Sequence, residues 1–186
     1  MSLKHTPVCD FGQPAIDFTL PGVDGREWSL GECRGTNGTL VMFICNHCPY
    51  VKAVREHIVR DAGELRAHGI QSVAIMSNDP TDYQEDSFDN MVAVAREYDF
   101  PFPYLLDESQ QVAQAYGAVC TPDFFGYNAE LKLQYRGRLD ESGMHPAPDA
   151  RRDLFEAMVQ VAKTGEGPKE QTPSMGCSIK WSRAGG

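Results

Sequence analysis

Cys45-Asn46-His47-Cys48 is the segment of this 186-residue sequence whose residue types and spacing carry the most chemistry. Two cysteines separated by two residues can close a disulfide across one helical turn. The unpaired N–H groups and positive dipole end of a helix start would stabilise a thiolate there. The pattern predicts that start at the pair, with Pro49 in a favourable early position. Cys45 is therefore expected to be the low-pKa nucleophile, and Cys48 the resolving thiol that attacks the Cys45 sulfur in a mixed disulfide. His47 and Asn46 are the modulating residues between them: a protonated His47 would stabilise the reduced form and make the pair a better oxidant.

Two other readings of a lone C-x-x-C stand beside this one. It can be half of a zinc site, which needs four ligands; there is no second C-x-x-C and no H-x-x-x-H, although Cys45, His47, Cys48 and Cys120 could converge in space. It can also be two inert buried thiols. A strand, C-x-x-C and helix in succession favours redox chemistry, with no metal and no organic cofactor.

The elements that must position the pair follow from periodicity. Residues 39–44 form a nearly continuous apolar run, the pattern of a central strand covered on both faces, and residues 49–68 carry Val51, Val54, Ile58, Ala62 and Leu65 at helical spacing, with Gly69 placed to cap the end. Upstream, residues 1–16 read as an extended segment and 17–30 as a hairpin. Downstream, strands are expected at 72–77, 104–107, 123–127 and 131–136 and helices at 87–98, 111–116 and 149–163, before a Gly/Pro-rich tail. Alternating strands and helices predict an α/β chain with a mixed central sheet.

Composition bounds the partners. A formal charge of −9 and a pI near 5.0, with no basic cluster beyond Arg151-Arg152, give nothing for a phosphate backbone to bind, so nucleic acid is excluded. No apolar run reaches the roughly 18 residues a membrane helix needs, and the first residues lack the apolar stretch of a secretory signal. Six cysteines at irregular spacing do not form a secreted disulfide framework, so a cytoplasmic, reducing setting is expected.

The strand–C-x-x-C-Pro–helix unit, Thr121-Pro122 ahead of a hairpin and the last helix resemble the thioredoxin superfamily. Gly12-Gln13-Pro14-Ala15-Ile16-Asp17-Phe18, residues 69–78, Phe102-Pro103-Tyr104-Leu105-Leu106-Asp107 and Ala115-Tyr116-Gly117-Ala118 resemble its alkyl hydroperoxide reductase/thiol-specific antioxidant and redoxin branch. Cys-Asn-His-Cys-Pro-Tyr-Val is similar to a bacterial thioredoxin subgroup. The resemblance implies a thioredoxin-like α/β sandwich over residues 1–165, with an N-terminal hairpin extension, an inserted helical segment between 79 and 103 and a tail over 166–186. It implies a thiol–disulfide oxidoreductase acting on a protein or small-molecule disulfide with a separate reductant or oxidant partner, as a monomer or weak homodimer. It also implies that Thr121 and Pro122 bind substrate, the proline being cis and the Thr121 backbone pairing with the substrate chain. Cys120 beside them is a candidate extra redox thiol, ranked behind a small buried hydrophobe, and Cys177 reads as a packing cysteine ahead of a resolving or regulatory thiol.

The sequence departs from the family in three places. Ile44 stands where thioredoxins carry the active-site Trp. The strand at 39–44 has no buried carboxylate, which leaves the proton acceptor unassigned. Peroxiredoxins place Pro and Thr seven and three residues before the peroxidatic cysteine; those positions are Val41 and Cys45 counted from Cys48, and Gly38 and Met42 counted from Cys45. Thiol peroxidase is accordingly the runner-up. A non-catalytic metal- or partner-binding thioredoxin fold is the further alternative.

Overall fold

A computed structural model describes residues 2–183. Its strands are β1 Leu3–His5, β2 Thr19–Pro21, β3 Glu27–Ser29, β4 Gly38–Phe43, β5 Ile70–Met76, β6 Tyr104–Leu106, β7 Cys120–Thr121, β8 Asp123–Asn128, β9 Leu133–Tyr135 and β10 Met175–Ser178. Its α-helices are α1 Leu30–Cys33, α2 Pro49–Leu65, α3 Phe88–Glu97, α4 Gln111–Tyr116 and α5 Asp153–Thr164.

The apolar run of β4 is central because both its faces are covered. Leu40 and Met42 enter one core with Val51, Val54 and Ile58 of α2, Met91 of α3 and Leu154 and Met158 of α5. Val41 and Phe43 enter the other with Leu30 of α1 and Ala113 and Tyr116 of α4. This period-two alternation assigns each residue to a layer. The main sheet runs β6-β5-β4-β8-β9, parallel on the β6-β5-β4 side and antiparallel on the β8-β9 side. It is the thioredoxin-like sandwich the resemblance implied, with the expected hairpin as β2 and β3.

Helix α2 gives way to a short 3-10 turn, Arg66–His68, and Gly69 caps it at φ 76°, a left-handed conformation that glycine adopts without steric cost. A buried Asp61 on α2 accepts from Arg152 just ahead of α5 at 2.6 Å, tying the helices that cover one face. A second, three-stranded sheet, β1-β10-β7, joins the two chain ends to the segment before Pro122. Sequence periodicity read both ends as irregular, since strands of three and four residues are too short to show it.

Candidate active site

Pro49 determines where α2 begins. A proline disfavours helical φ and ψ in the residue before it, and Cys48 accordingly takes the N-cap at φ −63°, ψ 123°, with Pro49 as the first helical residue. Residues 45–48 therefore precede the helix. This corrects the expectation that Cys45 stands at the helix start: the place beside the unpaired N–H groups belongs to Cys48.

Cys45 and Cys48 lie side by side as thiols, not joined, and both are buried. The Cys45 sulfur is 3.4 Å from Thr121 Oγ1 and 3.7 Å from His47 Nδ1. The Cys48 sulfur is 3.2 Å from the Thr121 carbonyl oxygen, which accepts its S–H when Cys48 is neutral and opposes its charge when it is not. Hydrogen bonding with Cys45, then with Cys177 and the Thr121 side chain, holds the Cys48 pKa down to about 4 against the cost of burial. Burial, its own S–H donation to Cys48 and the nearby Asp86 carboxylate push Cys45 well up. The two thiols titrate as a coupled pair, Cys45 shifted up and Cys48 shifted down.

Asp86 is the residue sequence reasoning missed. It is fully buried at the end of a 3-10 turn, Gln84–Asp86, within the inserted segment. One carboxylate oxygen accepts from the backbone N–H groups of Asn46 at 2.7 Å and His47 at 3.1 Å; the other meets His47 Nδ1 and accepts from Asn78 at 3.1 Å. Burial opposes its ionisation, but the His47, Asn78 and Asn46 contacts prevail and hold the carboxyl below its ordinary range. Tyr83, from the same segment, stacks on His47 with ring centroids 4.2 Å apart. Asn46 is held from every side: Tyr104 Oη donates to its Oδ1 at 2.8 Å, its Nδ2 donates to the Glu85 carbonyl at 2.8 Å, and Arg55 donates to its carbonyl at 3.1 Å. Its part is to fix the loop between the cysteines.

Cys45, His47 and Asp86 present a sulfur, a nitrogen and an oxygen within 4.8 Å of one another, the kind of donor set that attracts a metal ion. Those donors are spent on each other and on the loop N–H groups, while Cys120, named from sequence as a converging ligand, turns its S–H onto the Pro122 carbonyl at 3.5 Å. Burial, then Asp123, raises the Cys120 thiol. The thiol that does meet the pair is Cys177.

The Thr121–Pro122 bond is cis. The backbone edge of Thr121, expected to pair with a substrate chain, is already paired: β10 runs antiparallel to β7, with Cys177 opposite Thr121 and Ser178 opposite Cys120. Beside it lies a cleft of about 190 Å³ lined by Tyr50, Val54, Pro122, Phe124, Leu139 and Met175. His57 on α2 is half-buried and bonded to Asp140 at 2.7 Å.

An uncharacterized conserved protein from Geobacillus kaustophilus superposes with a TM-score of 0.92 at 42% identity, covering 98% of each chain. A putative thioredoxin from Neisseria meningitidis shares the fold at a TM-score of 0.61 and 20% identity, over 80% of this chain and 89% of that one. The curated "Thiol-disulfide oxidoreductase ResA" of Halalkalibacterium halodurans is 26% identical over 106 residues, 57% of this chain, and the match spans only 56% of that relative's length. The model of the AhpC/TSA family matches residues 11–139. With a thiol–disulfide oxidoreductase-like thioredoxin fold around two neighbouring thiols, the chain belongs to the AhpC/TSA family.

Proposed function

We propose that this protein is a thiol–disulfide oxidoreductase whose working couple is Cys45 and Cys48. The observation that carries this reading is placement: two neighbouring buried thiols, Cys48 at the helix N-cap and Cys45 with its sulfur 3.4 Å from the Thr121 hydroxyl, lie beside the cis Thr121–Pro122 bond, and hydrogen bonding lowers the Cys48 pKa. The Cys48 thiolate attacks a substrate disulfide, forming a mixed disulfide and expelling one substrate thiolate, which takes a proton from water. Cys45 then attacks the Cys48 sulfur, closing Cys45–Cys48 as the bond from Cys48 to the substrate breaks; its proton passes to the departing substrate sulfur, which leaves as a thiol, while His47, its Nδ1–H held by Asp86 and its ring stacked on Tyr83, orients the loop beside Cys45. A separate dithiol returns the couple to its reduced state.

The substrate is a protein or small-molecule disulfide in a cytoplasmic setting, and the cleft along Pro122 and Tyr50 is its approach. Thr121 and Pro122 contact it through that cleft and through the Thr121 hydroxyl, since the Thr121 backbone edge is taken. Among the described residues no helix is long and apolar enough to cross a membrane.

One observation favours peroxide reduction as a second reading: the Thr121 hydroxyl, 3.4 Å from the Cys45 sulfur, replaces the hydroxyl missing from the peroxidase sequence motif. Against it, the nearby Arg55 is committed to the Asn46 carbonyl and to the face of Tyr98. Reduction of insulin disulfides and stopped-flow consumption of hydrogen peroxide on one preparation separate the two. Turnover of insulin with slow peroxide consumption is expected; fast peroxide turnover, in the roughly 10⁴–10⁸ M⁻¹s⁻¹ range of efficient enzymes, without disulfide activity would make the protein a peroxidase.

A further inference from the structure

Strand β10 stands where a substrate strand would dock, and it brings its own thiol. In the antiparallel register Cys177 lies opposite Thr121, the residue whose carbonyl oxygen is 3.2 Å from the Cys48 sulfur, and it shares a hydrophobic core with Cys45 and Cys48. The placement is built, not incidental. A Cβ on Gly176 would fall 2.0 Å from the Thr121 carbonyl oxygen, so only glycine lets the strand approach this closely. The other edge of β10 pairs with β1, Leu3 opposite Cys177. Ser174 bonds the Pro122 carbonyl at 2.8 Å and Thr6 at 3.0 Å at one end, and beyond the other end Lys180 bonds Asn78 at 2.9 Å. Cys48 therefore has two thiols beside it in one buried core, Cys45 from its own loop and Cys177 from β10.

We propose that Cys177 is a third redox thiol of this site, which exchanges with the Cys45–Cys48 disulfide to form Cys48–Cys177 and free Cys45. The inference rests on the redox reading of the Cys45–Cys48 couple. In the exchange, Cys177 loses its proton and attacks the Cys48 sulfur; the Cys48–Cys177 bond forms as the Cys45–Cys48 bond breaks, its electron pair goes to Cys45, and Cys45 takes up the proton Cys177 released. One disulfide replaces another, so no oxidant or reductant is consumed. Oxidation of the pair also primes the step. In the reduced site burial, and then S–H donation to Cys48 and the charge there, push Cys177 up to about 12. Once Cys48 is in a disulfide that charge is gone, while Lys180 still favours the Cys177 thiolate. The exchange returns a free thiol at Cys45 while the oxidising equivalent is stored against β10 until a reductant arrives.

The test is disulfide mapping. The full chain and its Cys45→Ser and Cys177→Ser variants are equilibrated with oxidised glutathione, acid-quenched, alkylated with N-ethylmaleimide and digested without reduction. Both Cys45–Cys48 and Cys48–Cys177 peptides are expected from the wild type, Cys48–Cys177 from Cys45→Ser, and Cys45–Cys48 alone from Cys177→Ser. If wild type and Cys177→Ser give Cys45–Cys48 while Cys45→Ser carries only a glutathione adduct and wild type lacks the Cys48–Cys177 peptide, Cys177 is a packing residue and the two-cysteine couple stands. If no link among the three sulfurs forms in any protein, both readings fall. Should Cys45→Ser not fold, the wild-type map alone decides, because it must contain the Cys48–Cys177 peptide.

Discussion

The two cysteines of the pair face different surroundings, although they are three residues apart. On the Cys45 side stand His47 and the buried Asp86, contributed by the inserted segment; a carboxylate there opposes a second negative charge, so Cys45 keeps its proton. On the Cys48 side stand the helix N-cap and β10, and hydrogen bonding with Cys45, Cys177 and the Thr121 side chain lowers the thiol's pKa. The comparison separates two jobs that sequence reasoning gave to one helix terminus. One side keeps its proton beside a buried carboxylate, and the other stabilises sulfur charge.

Removing the charged sulfur breaks the comparison most completely. Cys48→Ser leaves Cys45 with a high pKa, so alkylation of the site near pH 7 should slow by orders of magnitude and disulfide turnover should stop. Cys45→Ser should also stop turnover yet keep fast alkylation at Cys48 and trap a stable mixed disulfide there. Peptide mapping of iodoacetamide-labelled protein distinguishes them, and faster labelling of Cys45 in the wild type would reverse the assignment of charge.

The proton-holding side comes next. Asp86→Ala leaves two loop N–H groups and His47 without their acceptor, and removing one member of such a buried pair costs about 3–5 kcal/mol, measurable by urea denaturation. Its pH dependence has a definite sign. Folding lowers the Asp86 pKa, so its contribution is complete above about pH 4, the unfolded value, and is lost as pH falls through the folded value. The gap between wild type and Asp86→Ala should be constant near neutrality and shrink in acid; a gap that widens in acid would contradict this role.

A smaller change sharpens the thiol side. Gly176→Ala puts a methyl against the Thr121 carbonyl, and the overpacking should cost roughly 1–3 kcal/mol. As β10 shifts away, Cys48 loses the Cys177 donors, and its alkylation midpoint should move to higher pH. An unchanged midpoint in a folded variant would show that β10 contributes nothing to the thiolate. The smallest effect is expected at Tyr83→Ala, which removes the ring stacked on His47. About 0.5–1.5 kcal/mol of stability should go, with a slower resolving step in stopped-flow single turnover and an unchanged first attack.

The sequence by itself determined the α/β layers and the location of the chemistry. The apolar run along residues 39–44, helical spacing along 49–65 and the C-x-x-C between them are local signals, because burial on two faces and the position of a proline act within a few residues. Pro49 also held the clue that the helix starts after Cys48, since the residue before a proline resists helical geometry. The charge on each sulfur was settled only by tertiary structure. Asp86 lies 38 residues or more from either cysteine in an acidic stretch that looks like any helix approach, and Cys177 lies 129 residues from Cys48 in a tail too short in pattern to read as a strand. A thiol's pKa depends on donors and charges within a few ångströms, and those neighbours come together only when an inserted turn and a terminal strand fold onto the end of the central sheet.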